Sequence, residues 1–261
     1  MILWSFHSEW IKLRRRRLWY GTYAAITGVV VLTTMVTIVG ANNAVDHHRG
    51  PTLAELSRAS GLGLGLTDSA ILLGAVSLAV AAAQFGGEFT HGTLRNLLVR
   101  QPRRLHLMGG KVLAVLLFLV GALMVAAVIG LGAAFAMAHA RGIDTSVWTS
   151  GTGLSDLGVA LGDIALSVCG FATVGMILGV LLRSSVIAIA AGLALLLPVE
   201  TILTNAVPGT ARWLPGQLLN AIASGGSLHA DFGTAIVTIT VYFLVAIGAT
   251  ALVFVRRDVT A

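Results

Sequence analysis

Long apolar segments separated by short polar ones dominate the chain. A helix needs about 20 mostly apolar residues to cross a bilayer. Segments close to or above this length fall at residues 18–41, 69–87, 109–138, 157–182, 186–205 and 233–255. The pattern predicts an all-α polytopic membrane protein with six transmembrane helices, folded as a single domain over residues 1–261.

Composition supports this class of protein. Hydrophobic residues make up 56% of the chain and charged residues 11%, whereas a soluble domain carries about 25% charged residues. The single cysteine, Cys169, lies within an apolar segment. A disulfide framework within the chain is therefore excluded, and Cys169 is expected to be a small packing residue.

Basic residues cluster at the ends of the apolar segments. With a cytoplasmic N-terminus, the outer segments hold four of the 17 Lys and Arg residues, namely Arg49, Arg58, Arg141 and Arg212. The positive-inside rule then predicts that both termini are cytoplasmic. Because the basic residues do not line one face together with aromatic residues, we expect no nucleic-acid partner.

Residues 1–17 have an amphipathic pattern. One arc of about 100° on a helical wheel holds Ile2, Leu3, Phe6, Trp10 and Leu13. Facing elsewhere are Ser5, Glu9, Lys12 and Arg16. The pattern favours a helix in the inner membrane interface, with Arg14 and Arg15 near anionic membrane lipid. The alternative is a positive flank that merely sets topology.

The predicted outer loops are residues 42–68, 139–156 and 206–232. In the last of these, Leu214, Leu218 and Ile222 repeat at helical spacing. This spacing predicts a short amphipathic helix that turns back toward the outer leaflet. An ordinary polar loop with one helical turn is the alternative.

Residues 88–108 form the long cytoplasmic loop of this topology. Leu94, Leu97 and Leu98 share one helical face, and Pro102 is expected to end the helix. An exposed apolar stripe on a cytoplasmic loop suggests a docking partner. Alternatively, the leucines pack back onto the membrane helices.

The same segment resembles a known family. Glu88, the run "GTLRNLL" at 92–98, then Pro102, Arg104 and Lys111 are similar to the segment between the second and third transmembrane helices of ABC-2 type transporter permeases. The overall plan is also similar to that family. The resemblance implies one ABC-2 transmembrane domain over 1–261, with an interfacial helix at 1–17, a coupling loop at 88–108 and an outer loop with a short helix at 206–232.

The resemblance implies that the chain is a permease subunit in the bacterial plasma membrane. It implies pairing with a second permease copy, identical or related, and export of an amphiphilic, drug-like or lipid-like substrate. A separate ATP-binding subunit would bind ATP and Mg and supply the ATPase activity. The resemblance assigns ATPase docking and coupling to Glu88, Gly92, Thr93, Leu94, Arg95, Leu97, Leu98, Pro102 and Arg104, helped by the interfacial helix.

Enzyme motifs do not support catalysis in this chain. "MGGKV" at 108–112 lacks the first glycine and the Ser or Thr of a phosphate loop, and "GLGLG" at 61–65 follows no predicted strand. No H-E-x-x-H or G-x-S-x-G motif occurs. His47 and His48 are expected to lie in a solvated loop, so no metal site is predicted.

Two acids fall within the predicted spans, which makes them functional candidates. Asp163 and Glu200 either lie at the outer membrane interface or line an outer vestibule, where a helix irregularity at Pro198 would expose Glu200. As an ion relay they would favour a secondary transporter or channel, which the lack of a visible inverted repeat weakens. An intramembrane enzyme would need paired catalytic residues. The glycine pair in "GMILG" at 175–179 predicts close helix packing within the subunit.

Overall fold

The computed structural model describes residues 2–41, 51–90, 104–228 and 230–256. The secondary-structure elements in these ranges are helices. Six helices are long and apolar enough to cross a membrane. We number them spans 1 to 6: Arg16–Gly40, Ala70–Thr90, Met108–Ala140, Gly151–Leu182, Ser185–Ala206 and Phe232–Leu252. They confirm the predicted all-helical class and indicate a multi-pass membrane protein.

Spans 2 and 4 pack most closely, because glycines remove the side chains between them. A Cβ atom at Gly175 would lie 2.3 Å from the Leu78 carbonyl oxygen, and one at Gly179 would lie 2.9 Å from the Gly86 nitrogen. Such small residues let helix backbones approach within a bilayer. The predicted packing role of this glycine pair within the subunit is confirmed.

Spans 1 and 3 form the second tightly packed pair, and the N-terminal helix (Ile2–Leu13) lies against span 3. Ile26 and Val30 of span 1 are buried in the same apolar cluster as Phe118 of span 3. Leu13 also belongs to this cluster. The N-terminal helix is thus part of the protein core at the end where span 1 begins and span 2 ends, which we call the basic end.

At the opposite end, residues predicted as an outer loop form short helices. Helix Leu53–Leu56 begins with a capping box between Thr52 and Glu55, and helix Gly61–Asp68 packs on spans 1 and 4. The Thr37 hydroxyl donates a hydrogen bond of 2.6 Å to Asp68. The capping box satisfies free backbone groups at the start of a helix. The residues of this predicted loop can therefore form helical turns that pack on the spans.

Span 5 is interrupted near its middle. Helix Ser185–Ala194 runs into a π-helical turn, Leu195–Val199, and then into helix Glu200–Ala206. Pro198 lies in this turn. Because proline has no N–H and crowds the preceding turn, it breaks the regular hydrogen-bond ladder. The irregularity expected at Pro198 is confirmed.

A short 3-10 turn, Ala211–Trp213, precedes the loop helix, Pro215–Ala223. Leu218 and Ile222 are buried on this helix, as their spacing predicted. Their apolar face packs on spans 4 and 6. The predicted amphipathic helix is therefore present in the described residues. The expectation that it turns toward the outer leaflet is corrected, because its apolar face packs on the protein itself.

Candidate functional site: an ion-pair network at the basic end

Lys111 is a charged residue buried inside span 3, with 3% of its surface exposed. Its ammonium lies 2.5 Å from Oε1 of Glu88 and donates a hydrogen bond of 2.8 Å to the Gln84 carbonyl oxygen. The same ammonium is 5.0 Å from the centre of the Phe85 ring. The carboxylate, the carbonyl and the ring face together replace the water that a buried ammonium loses.

Glu9 brings the N-terminal helix into this network. It is 4% exposed, and its Oε2 lies 3.9 Å from the Lys111 ammonium. Its other carboxylate oxygen pairs with Lys12, one helical turn further on. The network thus contains two carboxylates and two ammonium groups, which balances the charge within an apolar surrounding.

The burial of Glu9 corrects the sequence interpretation, which placed this residue away from the apolar face of the helix. Glu9 precedes Leu13 by four residues, so the two share one side of the helix, and both are buried. The other residues of the predicted interfacial helix differ in exposure. Phe6 and Trp10 stack with ring centres 5.6 Å apart, while Arg14 and Arg15 are exposed.

Glu88 and Lys111 are the first and last residues of the family-like segment 88–111, which contains the predicted coupling loop at 88–108. Glu88 is in the last turn of span 2, and Lys111 is in the first turn of span 3. Arg104 begins the helix that continues into span 3. The other predicted docking residues lie outside the described residues, namely Gly92, Thr93, Leu94, Arg95, Leu97, Leu98 and Pro102.

Sequence reasoning missed Glu9 and Lys111 as site residues. Lys111 counted as a topology marker and as part of the family-like motif, and Glu9 as a solvated position. The available signal was the place of Lys111 inside an apolar segment, since a lysine there needs a partner. The sequence does not show which acid fills that need, because Glu9 is 102 residues away in the chain.

Glu200 connects span 5 to the loop helix at the opposite end of the protein. Its side chain is 1% exposed and accepts hydrogen bonds from the backbone N–H groups of Gly216, at 3.0 Å, and Gln217, at 2.9 Å. These groups belong to the first turn of the loop helix, whose N-terminal end attracts negative charge. Glu200 therefore joins span 5 to the loop helix, and the break at Pro198 leaves it buried, not exposed as the vestibule interpretation expected.

Asp163 lies on span 4 near the other end of the loop helix. Its Oδ2 would be 3.7 Å from a Cβ atom at Gly225, and its side chain makes no hydrogen bond to the described residues. The structure therefore does not bring Asp163 and Glu200 together as a pair. Each acid lies against a different end of the loop helix.

We call the two hydrogen bonds between Glu200 and the loop helix the Glu200 clamp. A cavity of about 510 Å³ lies beside this clamp, between spans 2, 4 and 5 and the loop helix. Pro198 and Thr201 line it, together with the two residues that donate to Glu200. The π-helical turn thus shapes one wall of the cavity.

No group of three or more His, Cys, Asp or Glu side chains able to hold a metal occurs among the described residues. His47 and His48 lie outside these residues.

Six helices that are long and apolar enough to cross a membrane indicate the class, a multi-pass membrane protein. The chain belongs to the family described as Protein of unknown function (DUF2705), whose model matches residues 66–260. No curated protein matches the sequence. The matched range contains spans 2 to 6, with Glu88 and Lys111.

Proposed function

We propose that the chain is the permease subunit of an ATP-binding-cassette transporter of the ABC-2 type, driven by a separate ATPase subunit. One observation carries the proposal. The Glu9, Glu88 and Lys111 network fastens the N-terminal helix to both ends of the segment 89–110. These are the elements to which the family resemblance assigns ATPase docking.

The network holds the two ends of this segment together. A partner that pushes on the segment moves the end of span 2 and the start of span 3 together, because Glu88 and Lys111 are paired. Glu9 adds the N-terminal helix to the same unit. Buried and charge-balanced pairs resist separation, since an unpaired buried charge is costly. Movement at the docking surface is thereby transmitted to the membrane helices.

In the same proposal, two permease copies form the transport pathway and export an amphiphilic substrate across the plasma membrane. Large apolar side chains remain exposed on span 1, span 5 and span 6, including Val36, Ile202 and Leu244. These faces offer surfaces for lipid and for a second permease copy. The cavity beside Glu200 supports an outer pathway at the opposite end.

Affinity purification from gently solubilised membranes tests the proposal. We expect a stoichiometric chain bearing G-x-x-x-x-G-K-[ST] to copurify, and to be lost when Leu97 and Leu98 are replaced by Asp. Leu228→Asp is the matched control, because Leu228 is fully exposed at the opposite end. Recovery of the folded chain without any nucleotide-binding partner would contradict the proposal.

A second candidate function is an ion-coupled secondary transporter. The observation that favours it is Asp163, a buried acid without a hydrogen-bond partner in the described part of the chain, since acids at membrane depth commonly relay ions. Transport that continues after ATP depletion while an ion gradient is held, and that stops in Asp163→Asn, would favour this candidate. Transport that stops with ATP depletion favours the permease.

A further inference from the structure

An apolar cleft opens between spans 3, 4 and 6 in the half of the protein nearest the basic end. Its volume is about 400 Å³, which is within the usual range of ligand pockets. Val112 of span 3, Met176 of span 4 and Ala251 of span 6 contribute to three of its walls. Span 6 packs mainly on span 4 and the loop helix, so the space between spans 3 and 6 is incompletely filled.

The side chains that line this cleft offer no free hydrogen-bond donor. Thr173 and Thr250 are the polar side chains that line it. The Thr173 hydroxyl donates to the Cys169 carbonyl oxygen at 2.8 Å, and the Thr250 hydroxyl to the Ala246 carbonyl oxygen at 2.7 Å. Both hydroxyls are thus satisfied within their own helices. A ligand with polar groups along its length would lose hydrogen bonds on entering, whereas a hydrocarbon chain would lose none.

The surface around the cleft faces the hydrocarbon of the membrane. Leu113 and Leu117, on the same span as Val112, are exposed, and so is Ile247 at the edge of the cleft on span 6. In a bilayer these side chains contact acyl chains, since six apolar helices of this length cross the membrane core. If the cleft were empty, the side chains that line it would lose dispersion contacts. Lipid is the surrounding material that can fill it.

We propose that the cleft binds one acyl chain of a phospholipid from the leaflet at the basic end. Met108 and Met176 line the cleft, and flexible methionine side chains adapt to a mobile hydrocarbon chain. Phe85 forms part of the wall, and its ring also faces the Lys111 ammonium. The bound chain therefore packs on a ring that supports the ion-pair network. The proposal does not depend on the ATP-driven transport function.

Photolabelling of the purified full chain tests the proposal. The probe is a vesicle of phosphatidylethanolamine and phosphatidylglycerol in which a fraction of the phosphatidylglycerol carries a diazirine in the middle of one acyl chain. After irradiation, peptides bearing the lipid are mapped by mass spectrometry. We expect labelling at residues that line the cleft, with Met176 among them.

Two variants fill the cleft from different walls. Gly109→Phe adds a ring where no neighbouring heavy atom lies within 4 Å of the new Cβ, and Ala251→Phe adds one from span 6. Gly132→Phe is the control, since Gly132 is on the same span, outside the cleft, with equally open space. We expect loss of the Met176 label in both filling variants and retention in the control, each variant eluting as a folded species in gel filtration.

Two results would overturn the proposal. One is unchanged Met176 labelling in a folded filling variant. The other is cross-linking of a photoreactive residue at Ile247 to a second copy of the chain in the same vesicles, which would show that protein and not lipid covers the cleft. Loss of ATPase copurification in the docking variants is a separate measurement, so each proposal can fail alone.

Discussion

At the residue scale, a few charged side chains are buried together with their partners, and their removal would change the free energy of unfolding. Lys111 has Glu88, the Gln84 carbonyl oxygen and the Phe85 ring around its ammonium. A buried pair contributes little beyond an apolar replacement of both partners, but removal of one partner leaves a charge that cannot recover its water. This asymmetry makes single substitutions in the network more harmful than matched double ones.

Lys111→Met is expected to lower the free energy of unfolding by about 3 kcal/mol, because Glu88 and Glu9 lose their shared cation. Adding Glu88→Gln should recover a large part of that loss. Unfolding by denaturant in mixed micelles measures both effects. Arg14→Met is the control, since Arg14 is exposed and lies outside the network, and a change of at most about 0.5 kcal/mol is expected. Additive losses in the double variant would show that Glu88 and Lys111 do not interact.

Glu200→Leu should loosen the loop helix, because the N–H groups of Gly216 and Gln217 lose their acceptor. Each buried donor left unpaired costs about 1–3 kcal/mol. Hydrogen exchange of residues 215–223 is expected to accelerate, while exchange in span 1 stays unchanged. Asn205→Ala removes an exposed hydrogen bond on the same span and serves as the control. Equal protection of the loop helix in Glu200→Leu and the control would exclude the clamp.

At the element scale, helix ends extend further than hydropathy indicates. Span 4 was predicted from residue 157, and it begins at Gly151, where the Ser150 side chain accepts a hydrogen bond from the Gly153 N–H. Ser155 and Asp156 are polar, so an apolar window excludes them, although a capped helix includes them readily. Polar residues also connect helix ends. Arg141, directly after span 3, donates hydrogen bonds to the Ile38 and Val39 carbonyl oxygens at the end of span 1.

The contact between spans 2 and 4 yields a prediction about packing. Gly175→Leu should destabilise the protein by about 3 kcal/mol or more, because even the Cβ atom would lie 2.3 Å from the Leu78 carbonyl oxygen. The recovery of monodisperse protein after mild heating in detergent measures this effect. Gly162→Leu, on the same span, should behave like the unmodified protein, because its Cβ has no neighbour within 4 Å. Similar recovery of both variants would show that spans 2 and 4 pack less closely than described.

At the scale of the whole molecule, the distribution of charge predicts the orientation. Basic residues concentrate at the end that holds the N-terminal helix, including Arg14 to Arg17 and Arg183. Positive residues near helix ends favour the cytoplasmic side. This predicted orientation would place the ion-pair network at the cytoplasmic surface and the Glu200 clamp at the outer one.

Cysteine labelling tests this orientation. With Cys169, the single cysteine of the chain, replaced by Ser, a new cysteine is introduced at either His7 or Leu228, both of which are exposed. In intact cells, a membrane-impermeant maleimide should label Leu228→Cys and should not label His7→Cys. Permeabilised cells should show labelling of both. The reverse pattern in intact cells would invert the topology and remove the cytoplasmic docking surface.

Sequence patterns predicted the class of protein, the number of spans, the break at Pro198 and the amphipathic loop helix. These features depend on segment length and local periodicity, which each stretch of chain carries on its own. The folded arrangement was needed to show that Lys111 meets Glu88 and Glu9, that Glu200 caps the loop helix, and that spans 3, 4 and 6 leave a cleft. Such contacts depend on how each helix is rotated against its neighbours, and a one-residue rotation of about 100° would exchange a buried position for an exposed one.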